Sequence, residues 1–132
     1  MLYLLPTPIG NLADITLHTL DILSKAEVFL CEDTRISKQL LSLLIQKNLL
    51  QPKDRDFYPF HTHNQDKFLC EISKDFFSQN VVFMSDAGMP CISDPGSALV
   101  NFARSNDIEF EIVLGGSAPA LAFAYSGFGD RG

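Results

Sequence analysis

The apolar residues of this chain fall into two periodicities. Short uninterrupted apolar runs at residues 2–5, 28–31 and 81–84 read as buried strands, because a run with no polar position needs cover on both faces. Between them, apolar side chains recur at helical spacing. Leu17, Leu20 and Leu23 predict a helix capped by Thr16 and ending near Ala26. Leu40, Leu41, Leu44 and Ile45 predict a second. Asn64 is expected to cap a third, with Phe68, Leu69, Ile72 and Phe76 on one face. Ala98, Leu99, Phe102 and Ala103 predict a fourth, opened by Asp94 as N-cap and Pro95 at the first helical position. A last apolar helix is expected over 121–125, stopping at Gly127.

Two further segments complete the pattern. Residues 57–60 form a weak strand, and Pro59 suits an edge. Residues 108–112 alternate apolar and acidic, as a strand with one wet face does, again at an edge. Residues 48–56 are polar and predict an exposed connection. Strand and helix therefore alternate five times. The economical fold is α/β, an open parallel sheet with helices on both faces, three layers in all. Ligands of such sheets bind outside the carboxyl ends of the strands. The loops at Thr7, Glu32, His61, Ser85 and Gly115 then share one rim.

The loop over 85–96 dominates that rim. It follows a buried strand and is built largely of Ser, Asp, Gly and Pro, and Gly88 permits close backbone approach to a ligand. Other signals are weaker. Gly10 and Glu32, about twenty residues apart, suggest a dinucleotide site, but the G-x-G-x-x-G run is absent. His61 and His63 offer two imidazoles without an obvious third metal ligand. Cys91 has no activating base at a telling spacing and reads as a packed thiol. Glu32 and Asp33 suit either a solvated helix start or a ligand contact.

Composition narrows the class. The 132 residues suffice for one domain with a real core. A net charge of −6 argues against non-specific nucleic-acid binding by this segment alone. The three cysteines, Cys31, Cys70 and Cys91, never take C-x-x-C spacing, which fits reduced thiols in the cytosol and no zinc site. No apolar run is long enough to span a membrane, and the first residues lack a basic signal-peptide region.

The motifs taken together say more. Thr7-Pro8-Ile9-Gly10-Asn11-Leu12 with Asp14-Ile15-Thr16, then Glu32-Asp33-Thr34-Arg35, then His61, His63 and Asn64, then the 85–96 loop, resemble one family in order and spacing. It is the ribosomal RNA small-subunit methyltransferase I family, the 16S rRNA cytidine 2′-O-methyltransferases of the tetrapyrrole-methylase superfamily. Two departures stand out: Leu114-Gly115-Gly116 lacks the two prolines usual beside this glycine, and Thr62 replaces the usual Glu between the histidines. The resemblance implies a five-stranded parallel sheet of order 3-2-4-1-5 and S-adenosylmethionine as methyl donor. It also implies a cytoplasmic homodimer acting on 16S rRNA in the small ribosomal subunit, without metal. Members are about twice this long, so residues 1–126 would be the amino-terminal domain and 127–132 a linker to a second, leaving the fragment inactive alone.

By the same resemblance, Pro8, Gly10, Ser85, Asp86, Ala87, Gly88, Gly115, Ser117 and Ala118 would bind cofactor. Glu32, Arg35, His63 and Asn64 would bind substrate, and Asp33 and His61 are candidates for the base that takes the ribose proton. The alternatives are a tetrapyrrole or protein methyltransferase of the same superfamily, or a non-catalytic binding domain.

Overall fold

A computed structural model describes residues 1–6, 15–85 and 94–113. The strands are β1 (Leu2–Pro6), β2 (Val28–Cys31), β3 (Asp56–Pro59), β4 (Val81–Ser85) and β5 (Phe110–Ile112). The helices are α1 (Leu17–Lys25), α2 (Thr34–Gln46), α3 (Gln65–Glu71) and α4 (Asp94–Ser105), with a 3₁₀ helix over Lys74–Ser78. The five strands form one sheet of order β3-β2-β4-β1-β5, the order the family resemblance implies. Every pairing is parallel, with Leu2 opposite Val81 and Pro6 opposite Ser85 along the central pair.

The apolar runs explain which strands lie inside. Every residue of β2 and β4 is buried, while β3 and β5 are the edges and keep partial exposure. Alternation along each strand divides the core into two layers. Phe29, Cys31, Val82, Met84 and Leu5 face α1 and α2, meeting Ile22, Leu23, Leu40, Leu41 and Leu44. Leu2, Leu4, Val28, Leu30, Val81 and Phe83 face the other side, meeting Phe77, Leu99, Val100 and Ala103. Burial of these side chains supplies the main stabilisation, at about 25 cal/mol per Å² of apolar surface removed from water.

Four local expectations change. Leu17 is 84% exposed, so the buried face of α1 is Thr19, Ile22 and Leu23. Thr16 does cap α1, its hydroxyl accepting from the Thr19 N–H. The helix after Asn64 stops at Glu71, and Phe76 sits on the 3₁₀ turn instead. Ile72 is extended, and the chain resumes as a 3₁₀ turn in which the Phe76 N–H donates to the Ser73 carbonyl and the Ser78 hydroxyl to the Asp75 carbonyl. Asn64 occupies the N-cap position without a capping bond, because its amide is used within the preceding turn. The strand expected over 108–112 shrinks to three residues. Asp107, at φ 54°, turns the chain, and the Ile108 N–H bonds back to the Ala103 carbonyl at the end of α4. The expected 121–125 helix and 127–132 linker lie outside the described residues.

Candidate active site

Helices α1 and α2 cover one face of the sheet, and α3 and α4 cover the other. Strand β2 leads into α2 on the first face, while its neighbour β4 precedes α4 on the second. Connections that leave adjacent strands for opposite faces open a crevice at the carboxyl ends. Two side chains meet across that β2/β4 boundary: the Ser85 hydroxyl donates to Glu32 Oε1 at 3.3 Å. Ser85 is fully buried and Glu32 half-buried, so the carboxylate borders the crevice while the serine sits beneath it.

Asp33 follows as the N-cap of α2. Its Oδ1 accepts from the Arg35 backbone N–H at 2.9 Å and from Arg35 Nε at 3.2 Å, and its Oδ2 from Arg35 Nη2 at 3.0 Å. The Arg35 side-chain bonds, then the backbone bond, hold the Asp33 carboxyl below the ordinary carboxylate range, and Asp33 in turn raises the Arg35 guanidinium. The arginine side chain is 86% exposed. The fork therefore stands out from the rim with one edge of its guanidinium committed. Asp33 is the conjugate base at neutral pH, and its engagement with Arg35 makes it a weaker proton acceptor.

Across β2, the Phe60 N–H donates to the Cys31 carbonyl at 2.7 Å and ties the turn after β3 to the same rim. Phe60 is fully buried between the rings of Phe68 and Phe83. The next residue, His61, has its backbone N–H held by Asn64 Oδ1 at 2.7 Å, and Asn64 Nδ2 donates to the Pro59 carbonyl at 2.8 Å. The His63 N–H donates to His61 Nδ1 at 3.2 Å, and the two rings meet edge to face.

The structure thus gathers Glu32, Asp33, Arg35, His61, His63, Asn64 and Ser85 on the ends of three adjacent strands. Pro8, Gly10, Asp86, Ala87, Gly88, Gly115, Ser117 and Ala118 lie outside the described residues, as does Cys91. Ser37, absent from the residues singled out above, is 1% exposed one turn into α2, and its hydroxyl has no partner among the described residues. The available signal was a serine four residues after the cap, on the apolar face of the helix. Among the described residues no three metal-capable side chains cluster, and no helix is long and apolar enough to cross a membrane.

Fold and rim define a doubly wound α/β domain with a topological switch point at the carboxyl ends of its strands, where ligands of such sheets bind. The description Tetrapyrrole (Corrin/Porphyrin) Methylases matches residues 1–129, and the chain belongs to that family. It is 50% identical over 135 residues to a Helicobacter pylori (strain J99) protein named ribosomal RNA small subunit methyltransferase I, covering 97% of this chain and 47% of that one. A Campylobacter fetus protein of the same name is 49% identical across 99% of this chain and 49% of its own length. A third, from Mesomycoplasma conjunctivae, is 43% identical over 95% of this chain and 50% of its own. The chain spans about half the length of these curated relatives.

Proposed function

We propose that this chain is the amino-terminal half of an S-adenosylmethionine-dependent methyltransferase that methylates a cytidine 2′-hydroxyl of 16S rRNA in the small ribosomal subunit. The observation that carries this reading is the near end-to-end match, at half identity, to proteins named ribosomal RNA small subunit methyltransferase I. The relatives are about twice as long, so the activity is proposed for a protein of their length, working in the cytoplasm as a homodimer.

The described part of the rim suits the proposed donor. Glu32 borders the crevice with the Ser85 hydroxyl beneath it, and Arg35 is paired with Asp33 along one edge of its guanidinium. Carboxylate and hydroxyl oxygens of this kind favour hydroxyl and ammonium groups of a ligand. We assign the cofactor to Ser85 together with Pro8, Gly10, Asp86, Ala87, Gly88, Gly115, Ser117 and Ala118, on the family resemblance. When bound, S-adenosylmethionine supplies an electrophilic methyl group on a sulfonium.

The remaining work belongs to the chain. Methyl transfer is an in-line displacement, so holding the ribose hydroxyl in place accounts for much of the acceleration. Arg35, fixed by Asp33, presents its free guanidinium edge to an RNA phosphate. On the family resemblance, Glu32, His63 and Asn64, which follow β2 and β3, are assigned to the RNA, with Glu32 bordering the donor as well. The test is to incubate the protein at the relatives' length with methyl-labelled cofactor and three acceptors: unmodified small ribosomal subunits, a tetrapyrrole and total cell protein. Label in the RNA is expected. Label confined to the tetrapyrrole or to protein would replace this reading with another activity of the superfamily.

A further inference from the structure

The turn between β3 and α3 holds one imidazole in a defined state. A backbone N–H can only donate, so His61 Nδ1, which receives the His63 N–H at 3.2 Å, presents its lone pair. The neutral ring then carries its proton on Nε2. That nitrogen has no partner among the described residues, and the ring is half-buried at the rim. Asn64 makes the turn rigid. Its orientation is fixed by its partners, since the His61 N–H needs an acceptor and the Pro59 carbonyl needs a donor. The side chain thus spans the turn, from the last residue of β3 to the backbone of His61.

We propose that His61 meets the RNA as a hydrogen-bond donor through Nε2–H, and that Asn64 is the positioning residue that holds it so. The inference rests on reading this rim as the RNA side of a methyltransferase. The acceptor is an oxygen of the RNA. Taking a proton at Nε2 would require the other tautomer, in which Nδ1–H points at the His63 N–H, donor against donor. The donor role uses the ring as it stands. The turn is also placed for substrate: Pro59 pairs with Cys31, and Glu32 and Asp33 follow Cys31 directly.

The experiment has a spectroscopic arm and a kinetic arm, both on the protein at the relatives' length. Long-range proton–nitrogen correlation of ¹⁵N-histidine protein, with His61 assigned by its loss in His61→Gln, should show the neutral ring protonated at Nε2. Asn64→Ala should give a mixture of tautomers and about tenfold weaker binding of small-subunit RNA, the scale of one net hydrogen bond. Asn64→Asp keeps the acceptor for the His61 N–H but loses the donor to the Pro59 carbonyl, and should recover the single tautomer only in part. In the kinetic arm His61→Gln, whose amide can donate from about the same place, should raise KM for RNA more than it lowers kcat. A wild-type ring protonated at Nδ1 overturns the proposal, and so does a loss of about 10²–10⁴ in kcat for His61→Gln, the scale of a lost general base. An unchanged tautomer in Asn64→Ala removes Asn64 from the positioning role. If the tautomer is as stated but no label reaches RNA, the turn is described correctly and the methyltransferase reading is what fails.

Discussion

Replacing Phe60 by Ala should loosen the rim from beneath. Phe60 is fully buried, packs edge to face on Phe68 at 5.6 Å and on Phe83 at 5.9 Å, and directly precedes His61. Deleting a buried phenyl ring costs about 3–5 kcal/mol through lost transfer energy and the cavity left behind. The upper part of that range is expected, because two aromatic pairs go with the ring, each worth about 0.5–1.5 kcal/mol beyond burial. Phe83 belongs to the central strand and Phe68 to a short helix with no fully buried residue, so collapse around the void would move α3 more readily than β4. Urea denaturation followed by circular dichroism measures the cost, and the thermal midpoint should fall by roughly 10–20 °C for a domain of this size. Phe60→Leu refills much of the volume and should cost about 1–1.5 kcal/mol. If Phe60→Ala costs under about 1 kcal/mol, the ring is not the anchor of this turn, and the packing argument for the His61 position is wrong.

Further outcomes follow from single contacts. Asp33 has a folded-state pKa below its ordinary 3.8, so its contribution is present above that value and is lost as pH falls through the lower folded one. Asp33→Asn should therefore flatten the acid limb of the stability–pH curve, and parallel curves would remove the fork from the account. Arg35→Ala should raise KM for small ribosomal subunits while cofactor affinity, measured by calorimetry, stays the same; a collapse of cofactor affinity would move Arg35 to the other side of the site. Leu44→Ala should destabilise by about 2–5 kcal/mol, whereas Leu17→Gln, at an 84% exposed position, should stay within about 0.5 kcal/mol. The 132-residue chain alone should fold yet transfer no methyl group, and turnover equal to the longer protein would show that this half suffices.

The sheet was legible because its signals are strong and local. Unbroken apolar runs marked β2 and β4 as central, and Pro59 and the Glu109–Glu111 alternation marked the edges. The strand order needed the family resemblance, since periodicity does not say which strands pair. Periodicity also overstated Leu17: a leucine in the first turn sits beyond the reach of the sheet, and Thr19 takes the buried position. Apolar spacing over 68–76 suggested one helix because a 3₁₀ turn presents nearly the same face. At the site, residue types put Glu32, Asp33 and the His61–His63 pair on the rim, and the family resemblance added Arg35 and Asn64, but neither gave their division of labour. Asp33 and Arg35 engage each other, and Asn64 turns back on Pro59 and His61; such bonds depend on turn geometry that no spacing rule encodes.

The proposed chemistry is tested most directly at the level of the nucleoside. The protein at the relatives' length is incubated with S-adenosylmethionine and small subunits lacking the modification, and the RNA is then digested and resolved by mass spectrometry. One new product is expected, 2′-O-methylcytidine, formed only when protein and cofactor are both present. A methyl group on a base, on another nucleotide's ribose, or nowhere in the RNA would contradict the proposed chemistry.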